Sequence, residues 1–162
     1  MLRLGVIVPI TAAALLSASP ALADKAGPPH SHGPGHHSAG EPGDPKKPAR
    51  IVQVVMREAD GKMMFVPSKI EVRKGEQIKF VLRNAGELEH EFVLATKEEN
   101  KKHAEQMQKN PDMEHEDPNM AKLAAKKSGE LVWRFTKAGT FEFGCLIPGH
   151  YEAGMVGTVI VK

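Results

Sequence analysis

Short stretches in which apolar and polar residues alternate recur along this chain from residue 51 onward. They are residues 51–56, 62–66, 70–72, 77–84, 90–94, 130–135, 139–143 and 156–161. Alternation with a period of two places successive side chains on opposite faces of a strand. The pairs Asp60-Gly61 and Lys74-Gly75 separate neighbouring stretches and are typical of turns. The pattern therefore predicts an all-β domain, an antiparallel β-sandwich of about seven strands.

One insertion, residues 96–128, interrupts the alternation. Lys97 to Lys109 is charged and made mostly of good helix formers, Pro111 ends it, and residues 118–127 predict a second short helix. This mostly helical segment is rich in soft or borderline metal ligands: His103, Met107, Met113, His115 and Met120. Two interpretations stay open. In the first, these residues form an accessory copper site or a docking surface for a copper partner. In the second, the methionines only pack the helices against the sandwich.

The N-terminus has the features of a targeting segment. Arg3 precedes an apolar run from Leu4 to Leu16, and Ala21-Leu22-Ala23 supplies the small residues of a cleavage site. Residues 1–23 are therefore predicted to be a signal peptide. The run contains Pro9 and is too short to span a bilayer comfortably, so we expect no membrane insertion after cleavage.

The next segment, residues 24–49, is rich in Pro, Gly, Ser and His and has almost no large apolar side chain. Such a sequence buries too little surface to offset its ordering entropy, which predicts a disordered leader before a folded domain at 50–162. Four histidines cluster within it: His30, His32, His36 and His37. They either capture weakly bound copper or belong to a solubilising tail.

Charge and cysteine content narrow the function classes. The chain has 22 Lys and Arg against 20 Asp and Glu, so its net charge of +2 gives no reason to expect nucleic acid or an anionic membrane as a partner. It contains one cysteine. An exported chain with a single cysteine has no internal disulfide, and its thiol is free, paired with another molecule or bound to a metal.

That cysteine lies in a loop that carries three metal-ligand types. Cys145, His150 and Met155 are spaced five residues apart, between the predicted strands at 139–143 and 156–161. Thiolate, imidazole and thioether ligands together suit copper better than any other common biological metal. Such a copper needs a second imidazole, and His90, at the start of a predicted strand, is the histidine outside the leader and the insertion that the sheet would hold in place.

These residues resemble a known family. Asn84-Ala85-Gly86, His90, and the run from Gly139 through Cys145, His150 and Met155 are similar to the cupredoxins, the plastocyanin/azurin-type blue-copper proteins. The resemblance implies a Greek-key β-sandwich with one type 1 copper at one end. By position it implies His90, Cys145 and His150 as equatorial ligands and Met155 as the axial ligand. One departure is Glu91, where many electron-transfer members have an asparagine that braces the cysteine loop.

A narrower resemblance is to the periplasmic cupredoxin-like copper-resistance proteins of Gram-negative bacteria. It implies a periplasmic protein that handles copper and supports copper tolerance, whose partners are copper ions and a periplasmic redox or copper-trafficking protein. The alternative is a dedicated electron carrier between respiratory or photosynthetic partners. Pairing Cys145 with His150 as a nucleophile and base leaves His90 and Met155 unexplained, so we do not expect an enzyme.

Overall fold

The structure is a computed structural model that describes residues 37–110 and 116–162. The predicted signal peptide and residues 24–36 of the predicted leader lie outside the described residues. The described part contains ten strands and one helix: β1 Glu41–Pro42, β2 Arg50–Ala59, β3 Lys62–Val66, β4 Lys69–Val72, β5 Gln77–Asn84, β6 His90–Ala95, α1 Lys97–Lys109, β7 Met120–Leu123, β8 Ser128–Arg134, β9 Gly139–Gly144 and β10 Val156–Val161.

The strands form two sheets of five, in the orders β1-β8-β5-β2-β3 and β4-β10-β9-β6-β7. The predicted all-β sandwich is confirmed, and each alternating stretch of the sequence coincides with a strand, but the described residues form ten strands rather than about seven because β1 and β7 lie in segments without that alternation. The prediction of an antiparallel sandwich is wrong for two pairs, because β2 lies parallel to β5 and β4 lies parallel to β10. The alternation of apolar and polar residues shows on which face of the sheet a side chain lies. It does not show whether the neighbouring strand is parallel or antiparallel.

The two sheets bury an aromatic core between them. Phe92 stacks on Phe143 with ring centroids 5.0 Å apart, and Phe65 and Phe80 each approach this pair at 5.1 Å. All four side chains are at most 2% exposed. Phe143 also explains the glycine at 157, since a Cβ there would lie 2.1 Å from its ring. Phe65 of β3 and Phe80 of β5 come from one sheet and Phe92 and Phe143 from the other, so these rings join the two sheets.

The predicted helix over 97–109 is confirmed as α1. Thr96 and Glu99 form a reciprocal capping box at its N-terminus, which satisfies amide groups that the first turn leaves unpaired. Buried Ala104 packs with Val93 of β6 and Leu146 of the loop after β9. All six residues of β6 are buried, because the core covers Phe92 and Leu94 on one face and α1 packs near Val93 on the other. No helix in the described ranges has the length and apolar character needed to cross a bilayer.

The second predicted helix, over 118–127, is wrong. Met120–Leu123 form β7, which pairs antiparallel with β6 in a register that sets His90 opposite Leu123. Asn119 anchors the turn into β7, because its side chain donates to the Leu94 carbonyl at 2.8 Å and its own carbonyl accepts from the Leu94 amide. The open edge of β6 has backbone groups that need partners, and this requirement outweighs the helix propensity of a short segment.

The prediction of a disordered leader is wrong for residues 37–49. Residues 37–49 contact the sandwich: β1 pairs with β8, and the carbonyl of fully buried Ala39 accepts a hydrogen bond from Trp133 Nε1 at 3.2 Å. Gln77 further binds the main chain of Asp44 through both its amide atoms. Main-chain pairing needs no large side chains, which is why a composition argument left residues 37–49 out of the folded domain.

Gly40 tests this attachment. It has φ +137°, and a Cβ there would lie 2.1 Å from the Arg134 carbonyl oxygen. We expect Gly40→Ala to cost about 1–3 kcal/mol of strain and to release the segment, so that emission of the metal-free protein from Trp133, the only tryptophan, shifts to the red. Gly75→Ala is the control, since Gly75 also has positive φ but no atom lies within 4 Å of its Cβ position. Unchanged emission from the Gly40→Ala protein would contradict the attachment.

Candidate metal centre

The pairing of β6 with β9 brings two distant parts of the chain together. His90 is the first residue of β6, Cys145 directly follows β9, and Val93 lies opposite Gly144 in the register. The loop from Cys145 to Met155 then returns to β10, which pairs with the other edge of β9. A residue at the start of β6 and the whole loop after β9 therefore share one end of the sandwich.

Three metal-ligating atoms converge at that end. Cys145 Sγ lies 3.3 Å from His150 Nδ1 and 3.9 Å from His90 Nδ1. In the part of the chain that the structure describes, these residues form the single cluster of His, Cys, Asp or Glu donors arranged to hold a metal ion, with ligand atoms within 4.8 Å of one another. His90 and Cys145 are fully buried, whereas His150 is 9% exposed and is the most accessible of the three.

The loop between Cys145 and Met155 folds back on itself through main-chain hydrogen bonds. The Cys145 amide donates to the Met155 carbonyl at 3.1 Å, and the Met155 amide donates to the His150 carbonyl at 3.1 Å. Gly149 and Gly154 have φ values of +88° and +87°, a conformation that glycine adopts at little cost. Met155 is fully buried in the core cluster that also contains Cys145.

The Cys145 sulfur is held in a dry environment with amide donors. Burial raises the pKa of the thiol to about 12, although hydrogen bonds from the Glu91 and Ile147 amides act in the opposite direction. The Glu91 amide donates to Sγ at 3.3 Å. The sequence indicated that Glu91 must brace the cysteine loop differently from an asparagine. The contact seen here is main-chain to sulfur, and the Glu91 side chain is itself 2% exposed.

His150 is kept neutral and its loop is tied to the rest of the domain. Burial, together with the neighbouring His90, lowers the pKa of His150. The carboxylate of Glu152 accepts from the Gly149 amide at 3.0 Å, and the Tyr151 hydroxyl donates to Glu142 of β9 at 2.7 Å. A neutral imidazole on a braced loop can bind a metal without first losing a proton or moving far.

Sequence reasoning missed Glu58, near the end of β2. Its Oε1 lies 2.6 Å from His90 Nε2, the ring nitrogen that points away from Cys145. Burial alone would raise the pKa of Glu58, but hydrogen bonds from the Glu87 amide, His90 and the Leu88 amide outweigh it and lower this pKa to about 2. Nothing in the sequence around Glu58 marks it, because its partner is 32 residues away and meets it only in the folded sheet.

Asn84 supports the same loop from the inside. Its fully buried side chain donates to the Leu88 and Leu123 carbonyls at 2.7 and 3.0 Å, and it accepts from the Gly86 amide at 2.9 Å. The segment before His90 is thus held on both sides, by Asn84 and by Glu58. Neither residue is a candidate ligand. Asn84 contacts the backbone before His90, and Glu58 contacts that backbone and the His90 ring.

The structure describes four of the residues that the sequence predicts for accessory copper sites: His37, His103, Met107 and Met120. Met107 is 5% exposed on α1, and Met120 packs against the cluster of Val93, Ala104 and Leu146, as the packing interpretation expects. His37 is half-buried beside the Trp133 ring. Accessory copper binding stays a prediction, and its other members lie outside the described residues: His30, His32, His36, Met113 and His115.

Comparison with protein families decides the classification. Residues 52–162 match the copper binding proteins of the plastocyanin/azurin family. This chain belongs to that family. The cupredoxin resemblance of the sequence is thereby confirmed, and copper, of the type 1 kind, is the cofactor that the family and the cluster of His90, Cys145 and His150 indicate.

Two named relatives cover most of this cupredoxin. It is 51% identical to the copper-resistant cuproprotein CopI of Rubrivivax gelatinosus, over 82% of this chain and 84% of that protein. It is 38% identical to the copper-resistant cuproprotein CopI of Pseudomonas aeruginosa, over 80% of this chain and 86% of that protein. Both relatives carry the name of a cuproprotein rather than of an enzyme.

Among solved structures, auracyanin B matches with a TM-score of 0.61 and 26% identity, over 76% of this cupredoxin and 96% of that chain. Two multicopper oxidases match at 17% and 16% identity and share the fold alone. These matches agree with the two-sheet architecture.

The buried thiol predicts how metal binding depends on pH. Because the pKa of the Cys145 thiol is about 12, a metal that binds its sulfur must displace one proton at neutral pH. Between about pH 7 and 9 we expect the apparent Cu(I) affinity, measured by competition with a chelator, to rise about tenfold per pH unit. Cys145→Ser is the control, and its apparent Cu(I) affinity should not rise tenfold per pH unit. An affinity that does not change with pH would contradict metal binding at the sulfur.

Proposed function

We propose that this protein is a periplasmic type 1 copper protein that handles copper and supports copper tolerance. In this proposal His90, Cys145 and His150 are the strong ligands and Met155 is the weak axial ligand. The observation that carries it is the convergence of one sulfur and two imidazole nitrogens from segments 55 residues apart, buried at one end of a cupredoxin sandwich.

The residues present fit copper by their chemistry. Two imidazoles and a thiolate, with a thioether nearby, form the donor set of blue-copper sites, whereas zinc sites rarely include methionine. Bound copper supplies a one-electron redox couple. The protein's contribution is to exclude water with the aromatic core and to stabilise the thiolate with the Glu91 amide.

His150 gives this centre its route to the surface. It is 9% exposed while His90 and Cys145 are fully buried, so an electron or a copper ion enters or leaves past its imidazole. A partner that docks at this end approaches the site through the loop from Cys145 to Met155. A periplasmic redox or copper-trafficking protein is the class of partner that this arrangement suits, together with copper ions themselves.

Copper tolerance is favoured by the relatives, which are named copper-resistant cuproproteins. Export follows from the predicted signal peptide at residues 1–23. The second candidate, a dedicated electron carrier, is favoured by the partial exposure of His150, which gives an electron a route to the buried centre. Catalysis is not part of the proposal, since a nucleophile–base pair of Cys145 and His150 would leave His90 and Met155 without a role.

Replacing the sulfur ligand tests the function in the protein and in the cell. With Cu(II) the wild-type protein is expected to be intensely coloured through thiolate-to-copper charge transfer, and the Cys145→Ser protein is expected to be colourless. A host that carries Cys145→Ser should lose copper tolerance while its respiration stays intact. A coloured Cys145→Ser protein would refute the ligand, and failed respiration with intact copper tolerance would favour the electron carrier.

Replacing the axial sulfur tests Met155. Leucine has a similar volume, so Met155→Leu is expected to cost less than about 1.5 kcal/mol of folding stability. It should retain the colour, because the thiolate remains, and raise the reduction potential, because a weak donor to the metal is lost. Voltammetry of the two proteins measures this. An identical potential would argue against axial ligation by Met155.

A further inference from the structure

Glu58 joins the metal centre to the sheet that does not carry its ligands. β2 belongs to the sheet β1-β8-β5-β2-β3, whereas His90 and Cys145 lie on the other sheet or just after it. We propose that Glu58 is a positioning residue of the copper centre, which fixes His90 with Nδ1 facing Cys145 and keeps a negative charge one imidazole ring away from the metal. The inference rests on the proposed role of His90 as a ligand.

The contacts of Glu58 divide between the ring and the loop before it. Oε1 lies 2.6 Å from His90 Nε2 and accepts from the Leu88 amide at 3.2 Å, while Oε2 accepts from the Glu87 amide at 2.9 Å. The side chain is 26% exposed, and that of His90 is 0% exposed. One carboxylate thus holds both the ligand ring and the backbone that leads to it.

This geometry selects one tautomer of His90. A carboxylate that already accepts two amide hydrogens has only acceptor capacity to offer, so Nε2 must carry the proton. Nδ1, 3.9 Å from Cys145 Sγ, is then left with its lone pair toward the cluster. A histidine that binds a metal through one nitrogen commonly donates the other N–H to a carboxylate, which orients the ring and makes it a stronger ligand.

Gly86 shows that the fold accommodates this carboxylate at close range. A Cβ at Gly86 would lie 2.2 Å from Glu58 Oε2 and 2.5 Å from Oε1. No residue with a side chain fits there while the carboxylate keeps its place. The loop from Asn84 to His90 is therefore shaped around Glu58, in addition to the hydrogen bonds that Asn84 makes from the inside.

The charge has a consequence for redox chemistry. A fixed negative charge next to a ligand favours the oxidation state with the higher positive charge, which is Cu(II). Loss of an outer partner of a ligating histidine typically lowers metal affinity 10- to 100-fold. If Cu(II) affinity alone falls tenfold, the reduction potential rises by about 59 mV, the value for a one-electron couple.

The first test uses the wild-type protein. With isotope-labelled histidine and Cu(I), nuclear magnetic resonance is expected to show a His90 Nε2 proton that exchanges slowly and is shifted downfield by its bond to Glu58. An Nε2 without a proton, or with one that exchanges as freely as that of a solvent-exposed histidine, would overturn the proposal. This measurement does not depend on whether any variant folds.

The second test compares Glu58→Gln with Glu71→Gln. The glutamine keeps the size but loses the charge, and its NH2 group would oppose the Glu87 amide. Cu(II) affinity is expected to fall about 10- to 100-fold, the potential to rise, and the Cu(II) resonance spectrum to change. Glu71 forms a salt bridge with Lys162 and lies opposite Ile160, at the end of β10 that is far from the ligand loop. The Glu71→Gln protein should therefore match the wild type in all three measurements.

The outcomes separate this inference from the proposed function. A coloured Glu58→Gln protein with unchanged affinity, potential and resonance spectrum would overturn the role of Glu58 and leave the copper centre standing. Equal effects in Glu58→Gln and Glu71→Gln would also overturn it, because they would reflect net charge rather than position. A wild-type protein without thiolate-to-copper colour would instead refute the proposed function.

Discussion

The pairing of β6 with β9 is the interaction on which the rest of this structure depends. Its register sets Val93 opposite Gly144, and this places the start of one strand beside the end of the other. The hydrogen bond from the Glu91 amide to Cys145 Sγ extends that pairing into the metal centre. A shift of one residue would turn every side chain of β6 to the opposite face of the sheet. The ligand cluster therefore forms only in this register.

Hydrogen bonds from residues outside the ligand set hold the candidate ligands in place. Asn84 and Glu58 hold the segment before His90, and Tyr151 and Glu152 tie the loop that carries His150 to β9 and to its own backbone. A site with its ligands already in place changes oxidation state with little movement, which suits both electron transfer and copper handling. The two functions therefore share one geometry, and their difference lies in partners and in the cell.

Much of this arrangement could be predicted from the sequence, because its signals are local. Strand alternation and the spacing of Cys145, His150 and Met155 each lie within a few residues. The predictions that failed depended on contacts between residues that lie far apart in the sequence. The 118–127 segment pairs with the open edge of β6 instead of forming a helix, residues 37–49 attach through main-chain bonds that composition does not record, and Glu58 meets His90 across the two sheets.

X-ray absorption at the copper K-edge of the loaded wild-type protein tests the central claim most directly. The account predicts a coordination shell with a single short sulfur contact and two imidazole nitrogens. A coordination shell made of nitrogen and oxygen alone, with no sulfur, would contradict it, because β6 and β9 would then gather these side chains for some purpose other than holding this metal.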